Sequence, residues 1–113
     1  MDGLFGFSFK PPVRPDYQPL MSILTHAHSR KIPVVAIDIP SGWDVEKGPP
    51  SEEDQSLYFM PDTLVSLTAP KLCAKFFTGP NHYLGGRFVP KELEQKYSMN
   101  LPPYPGIECI VRL

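Results

Sequence analysis

Asp38-Ile39-Pro40-Ser41-Gly42 sets a carboxylate at the end of an apolar, β-branched run and follows it at once with Pro, Ser and Gly. In open α/β sheets, ligands bind outside the carboxyl ends of the strands. A carboxylate held there, partly shielded from water, can pass a proton or hold a cation, and Ser41 adds a hydroxyl with nearby carbonyl oxygens. The same residues also suit a plain turn that Asp38 caps through its own backbone. A second stretch, Gly6-Phe7-Ser8-Phe9-Lys10, offers backbone amides, a hydroxyl and an ammonium to an anion, without the glycine density of a Walker or dinucleotide fingerprint. Without a ligand, Phe7 and Phe9 read as core or lid aromatics and Lys10 as a solvated cation. Asp2 precedes that stretch. Together with Asp38 and Ser41 it could form an oxygen-rich cation site, or it could stand alone at the surface.

Other chemistries find no support. His26 and His28 are two apart on an expected helix and diverge by about 200°, so they cannot chelate one ion. Ser8 and Ser41 do not fit the Gly-x-Ser-x-Gly elbow. Cys73 and Cys109 are too few for a disulfide framework and read as buried, reduced thiols. Trp43 reads as a packing residue that fixes the Asp38 loop, with substrate stacking as its other option. Eleven basic against 12 acidic residues leave a net charge of −1 and no cationic surplus for nucleic acid or an anionic membrane surface. No apolar run reaches the ~18–20 residues of a spanning helix, so the chain is expected to be soluble.

The elements that must position these residues follow from the pattern. Residues 4–10 read as the tail of a strand stopped by Pro11-Pro12. Asp16 is placed to cap a helix with Pro19 in its first turn, and Leu20, Ile23, Leu24 and Ala27 form its apolar stripe up to about residue 30. Residues 33–40 read as a parallel strand covered on both faces. Strand tail, helix and strand make a βαβ unit, which brings the loops at 6–12 and 38–44 to one edge. Residues 46–61 read as a solvated connector, 63–68 as a strand, 71–77 as a short helix beginning at Pro70, 82–89 as a strand, 90–97 as a helix and 107–113 as a last strand after a proline-rich turn. The sum is an α/β fold with a mostly parallel sheet whose first half is missing. A raw parallel edge of this kind is expected to leave the isolated chain marginal or self-associating.

Asp2 and Phe5-Gly6-Phe7-Ser8-Phe9-Lys10, then Ile37-Asp38-Ile39-Pro40-Ser41-Gly42-Trp43-Asp44-Val45, Leu67-Thr68-Ala69-Pro70-Lys71, Tyr83-Leu84-Gly85-Gly86-Arg87-Phe88-Val89-Pro90 and Leu101-Pro102-Pro103-Tyr104-Pro105 occur in that order. Together they resemble the carboxyl-terminal half of the NAD(P)H-hydrate epimerases, also called the YjeF N-terminal domain family and, in animals, apolipoprotein A-I-binding protein. The resemblance implies that residues 1–113 are the carboxyl-terminal part of such a domain, with a Rossmann-like, three-layer α/β/α fold. It also implies interconversion of the R and S epimers of hydrated NADH and NADPH with a bound potassium ion. On matching positions, Asp2 and Ser41 would contribute to the potassium site. Gly6, Phe7, Ser8, Phe9, Lys10, Pro11, Pro12 and Asp38 would contact the nucleotide, and Asp38 would move the proton.

Two departures matter. Many members have glycine where this chain has Pro11, which removes a backbone donor. The family's asparagine- and glycine-rich loop, which supplies another potassium ligand, has no counterpart in these 113 residues. The other functional reading, of a different class, is a non-catalytic remnant of the fold that binds a protein partner. Family membership suggests cytoplasm or mitochondrion, and a homodimer is possible.

Overall fold

β-branched and aliphatic side chains suit a pleated strand, and the run after Pro33 forms β1 (Val35–Ile37) while the run after Asp62 forms β2 (Thr63–Leu67). In the computed structural model, which describes residues 1–51 and 56–113, these two pair in parallel with Val35 opposite Thr63 and Ile37 opposite Val65. β2 pairs in parallel with β3 (Asn81–Gly85), and β4 (Ile110–Arg112) lies antiparallel on β3, giving the order β1-β2-β3-β4. The expected mostly parallel α/β sheet is therefore present. At the free edge of β1, Asp2 makes an isolated parallel bridge to Ala36. Its N–H donates to the Val35 carbonyl at 2.7 Å, and its carbonyl accepts from the Ile37 N–H at 2.9 Å.

The first strand of the expected βαβ unit thus shrinks to one residue. Residues 4–10 form no strand. The chain turns back instead, with the Phe9 N–H donating to the Gly6 carbonyl at 3.0 Å. A strand would put Phe5, Phe7 and Phe9 on one face, but the turn stacks Phe5 on Phe9 with centroids 4.6 Å apart and leaves Phe7 65% exposed. Tyr17 meets Phe5 edge-on. Offset and edge-to-face pairs of this kind add to plain burial, which favours the turn over the strand.

Helix α1 (Gln18–Ser29) follows a 3₁₀ turn at Pro15–Tyr17, and Asp16 lies inside that turn rather than capping the helix. Prolines at 15 and 19 have no N–H, so the helix start presents fewer orphan donors for a cap to satisfy. The buried face is also rotated from the expected stripe. Met21 is buried against Val34 and Phe59, with Leu24 and Ala27 beside it, while Leu20 and Ile23 are exposed. The partner that selects this face is Phe59, from the far end of the segment read as a solvated connector. That connector instead ends as core, with Phe59 and Pro61 fully buried; its residues 52–55 lie outside the described residues. A second cluster joins Ile39, Trp43 and Cys73 with Val45, Tyr58 and Met60, and Trp43 stacks on Tyr58 as a packing residue.

Further along, the expected 71–77 helix is a 3₁₀ turn, Leu72–Phe76, with Lys71 as its N-cap and Pro70 outside it. β3 stops at Gly85, where Gly86 takes a φ of +93° that an L side chain rarely adopts. Helix α2 (Lys91–Tyr97) is close to its expected range, whereas the last strand keeps only three residues. Cys73 is buried as expected, but Cys109 is exposed. Ala36, Leu64, Ser66 and Leu84 seal one face of the sheet; Val35, Ile37, Val65, Leu67 and Tyr83 on the other are only half-buried. The two faces are covered unequally, the first fully and the second in part. Among the described residues no helix is long and apolar enough to cross a membrane.

The rotated face gives a direct check. Met21→Ala should lower stability by about 2–4 kcal/mol through a cavity beside Phe59, while Ile23→Ala, at a 64% exposed position, should stay within about 0.5 kcal/mol, both read from urea unfolding.

Candidate active site

The Asp38 loop is fixed from below by a buried polar lock. Asp2 is 2% exposed and Ser41 1% exposed. The Ser41 hydroxyl donates to Asp2 Oδ1 at 2.6 Å, and the Ser41 N–H donates to Asp2 Oδ2 at 2.8 Å. The Phe5 N–H in turn donates to Ser41 Oγ at 3.0 Å, and the Leu4 N–H reaches Asp2 Oδ1 at 3.3 Å. Charge-assisted bonds of this sort are stronger than neutral ones, and this set ties the start of the phenylalanine bend to the 38–42 loop. Gly42 lets the loop close: its φ is +87°, and a Cβ there would come within 2.9 Å of Met21 Cε.

Asp2 therefore turns inward to Ser41 rather than across to Asp38. Among the described residues it has no cationic side chain against it, and no group of three or more His, Cys, Asp and Glu side chains is placed to hold a metal. A buried carboxylate without a counter-charge is costly. One carboxylate and one hydroxyl, both oxygen donors, are the ligand type of a hard cation. Asp2 and Ser41 present oxygen donors alone, and these are bonded to one another and to the backbone of the bend.

Above the lock sits Asp38. It directly follows β1 with a φ of +70°, in the left-handed region that aspartate tolerates better than most residues. Its N–H donates to the Val65 carbonyl at 2.8 Å, which anchors the turn to β2. The side chain is neither in the interior nor free: Oδ1 accepts from Lys71 Nζ at 2.5 Å, with Asp38 15% and Lys71 17% exposed. A second Lys71 bond goes to the Leu67 carbonyl at 2.7 Å. Lys71 is the functional candidate that sequence reasoning missed. Its signal was a lysine just past the end of β2, the strand next to the one that delivers Asp38.

The phenylalanine bend and the acid do meet. A Cβ on Gly6 would lie 4.0 Å from Asp38 Oδ2. Gly6, Ser8, Phe9, Lys10 and Pro12 line a cleft of ≈ 330 Å³ together with Arg14. Among the described residues the N–H groups of Gly6, Phe7, Ser8 and Lys10 have no protein acceptor. Successive free amides beside cations suit an anion. The Phe7 ring is exposed, and Pro11 lines hollows shared with Pro50.

Nearby titrating groups are tuned by local structure. Burial raises the Cys73 thiol above its ordinary value, so it is an inert packing group. The Lys47 and Glu46 amides lower Asp44, which closes the turn after Trp43. His82, on the sealed face of the sheet, is lowered by burial and shares a 2.9 Å hydrogen bond with Ser66.

A mostly parallel sheet whose strand ends gather an acid, a lysine and an amide-rich bend defines an α/β protein of the kind that holds its ligands at the carboxyl edge. The chain belongs to the family described as YjeF-related protein N-terminus, which matches residues 1–73. It is 58% identical over its whole length to the NAD(P)H-hydrate epimerase of Anopheles gambiae and 55% identical to that of Aedes aegypti, spanning 46% of each relative. The crystal structure of the yeast protein ynu0 superimposes with a TM-score of 0.80 at 38% identity, covering 96% of this chain and 44% of that one.

Ser41→Ala would leave Asp2 Oδ1 and the Phe5 amide without their shared hydroxyl. It should destabilise the fold by about 1–3 kcal/mol in urea unfolding.

Proposed function

We propose that this chain interconverts the R and S forms of hydrated NADH and NADPH, with the nucleotide lying between the phenylalanine bend and Asp38. The observation that carries the reading is the approach of Asp38 Oδ2 to Gly6, because it sets an acid–base group beside free amides at one rim. Relatives named NAD(P)H-hydrate epimerase, 55–58% identical across this chain, support the substrate class. They extend well beyond it, since it spans under half of their length.

The chemistry asked of the site is modest. When the hydroxyl on the hydrated carbon is protonated it leaves as water, and the ring nitrogen lone pair forms an iminium. Water then returns to either face of that planar carbon. Proton transfer at the hydroxyl is assigned to Asp38 acting as a pair with the Lys71 that it holds. The N–H groups of Gly6, Phe7, Ser8 and Lys10 and the Lys10 ammonium face the nucleotide's phosphates, with Phe9 stacked on Phe5 behind them. Pro11 and Pro12 have no N–H to give and contribute shape alone. Asp2 and Ser41 would hold the potassium ion, whose charge offsets the buried carboxylate under the Asp38 loop.

Asp38→Asn keeps the size of the side chain and removes its charge. Chromatographic separation of the R and S hydrates should show the epimerisation rate falling by about 100-fold or more; an unchanged rate contradicts the assignment.

A further inference from the structure

Two neighbouring parallel strands end alike at this rim. β1 is followed by Asp38 with a φ of +70°, and β2 by Thr68 with a φ of +67°. A left-handed β-branched residue is an outlier that the surrounding structure must hold in place, and such strain gathers at functional sites. Here it folds the chain back at once. The Ala69 N–H donates to the Leu67 carbonyl at 2.7 Å, and Lys71 returns to the same carbonyl and to Asp38.

An ammonium has three donors. Two are used, and among the described residues the third has no acceptor. Among the described residues Asp38 Oδ2 likewise has no donor, while Oδ1 holds Lys71. One free donor and one free acceptor therefore lie on paired, partly exposed side chains, and the acceptor, Asp38 Oδ2, is the one towards Gly6. A hydroxyl complements that pair, taking a hydrogen bond from nitrogen and giving one to oxygen.

Resting on the epimerase reading, we infer that Lys71 is a catalytic residue of the same site and the immediate donor of the proton that releases the hydroxyl. The Nζ–H bond breaks as the proton passes to the hydroxyl oxygen. The carbon–oxygen bond breaks, water departs, and the ring nitrogen lone pair closes the iminium. Asp38 holds Lys71 in line and stands beside the new cation. On return, water adds to the carbon, its surplus proton passes through solvent, and the Lys71 amine takes one back. Nothing is oxidised or reduced.

The test uses the full chain, wild type, Lys71→Met and Lys71→Arg, with kcat and KM for hydrated NADH. Lys71→Met should lose about 10²–10⁴-fold in kcat with KM within about threefold. Lys71→Arg keeps a cation against Asp38 but binds its proton too tightly to give it up, so it should stay as slow. This variant also carries the test if the methionine form does not fold. Recovery of the arginine variant to within about tenfold of wild type overturns the inference, because Lys71 would then only position Asp38. A methionine variant at the wild-type rate overturns it as well. A wild-type chain with no epimerisation is a different result: it removes the functional reading itself, and the role of Lys71 with it.

Discussion

Parallel pairing of β1 with β2 is the constraint on which the site depends. Because both strands run the same way in register, with Ile37 opposite Val65, their carboxyl ends reach one rim, and Asp38 and the Lys71 turn arrive there together. The bond from the Asp38 N–H to the Val65 carbonyl extends that register one residue beyond the strand. An antiparallel pair would have put the two ends on opposite edges of the sheet. Everything else at the rim refines this placement: the Asp2–Ser41 lock sets the height of the 38–42 loop, and Met21 beneath Gly42 sets its depth.

The lock and the rim divide the acidic groups between two tasks. Asp2 is buried and hydrogen-bonded to Ser41 and to the backbone of the bend, so its charge serves the architecture. Asp38 is partly exposed and paired with a lysine, so its charge stands at the rim. The two carboxylates differ in environment rather than in type. The same fold can thus hold one of them rigid and leave an oxygen of the other free.

Much of this was legible before any coordinates. Asp38-Ile39-Pro40-Ser41-Gly42 announced an acid on a turn at a strand end, and the apolar run before it announced a buried parallel strand. What could not be read were choices made by distant partners. The helix face turned on Phe59, 38 residues beyond Met21 and inside a segment whose Glu, Asp, Pro and Ser content suggested solvent. Lys71 stood in a quoted motif, but its role depends on a carboxylate 33 residues earlier on another strand. Asp2 was grouped with both Asp38 and Ser41, and only distant packing decides between them: its carboxylate is bonded to Ser41.

The central claim is that the phenylalanine bend and the Asp38 rim are two walls of one nucleotide site. Amide NMR of the full chain, titrated with NADH, tests it most directly. The account predicts that the resonances of Gly6, Phe7, Ser8, Lys10 and Asp38 move together along a single binding curve. Shifts confined to one wall, or two walls saturating at different concentrations, would contradict it.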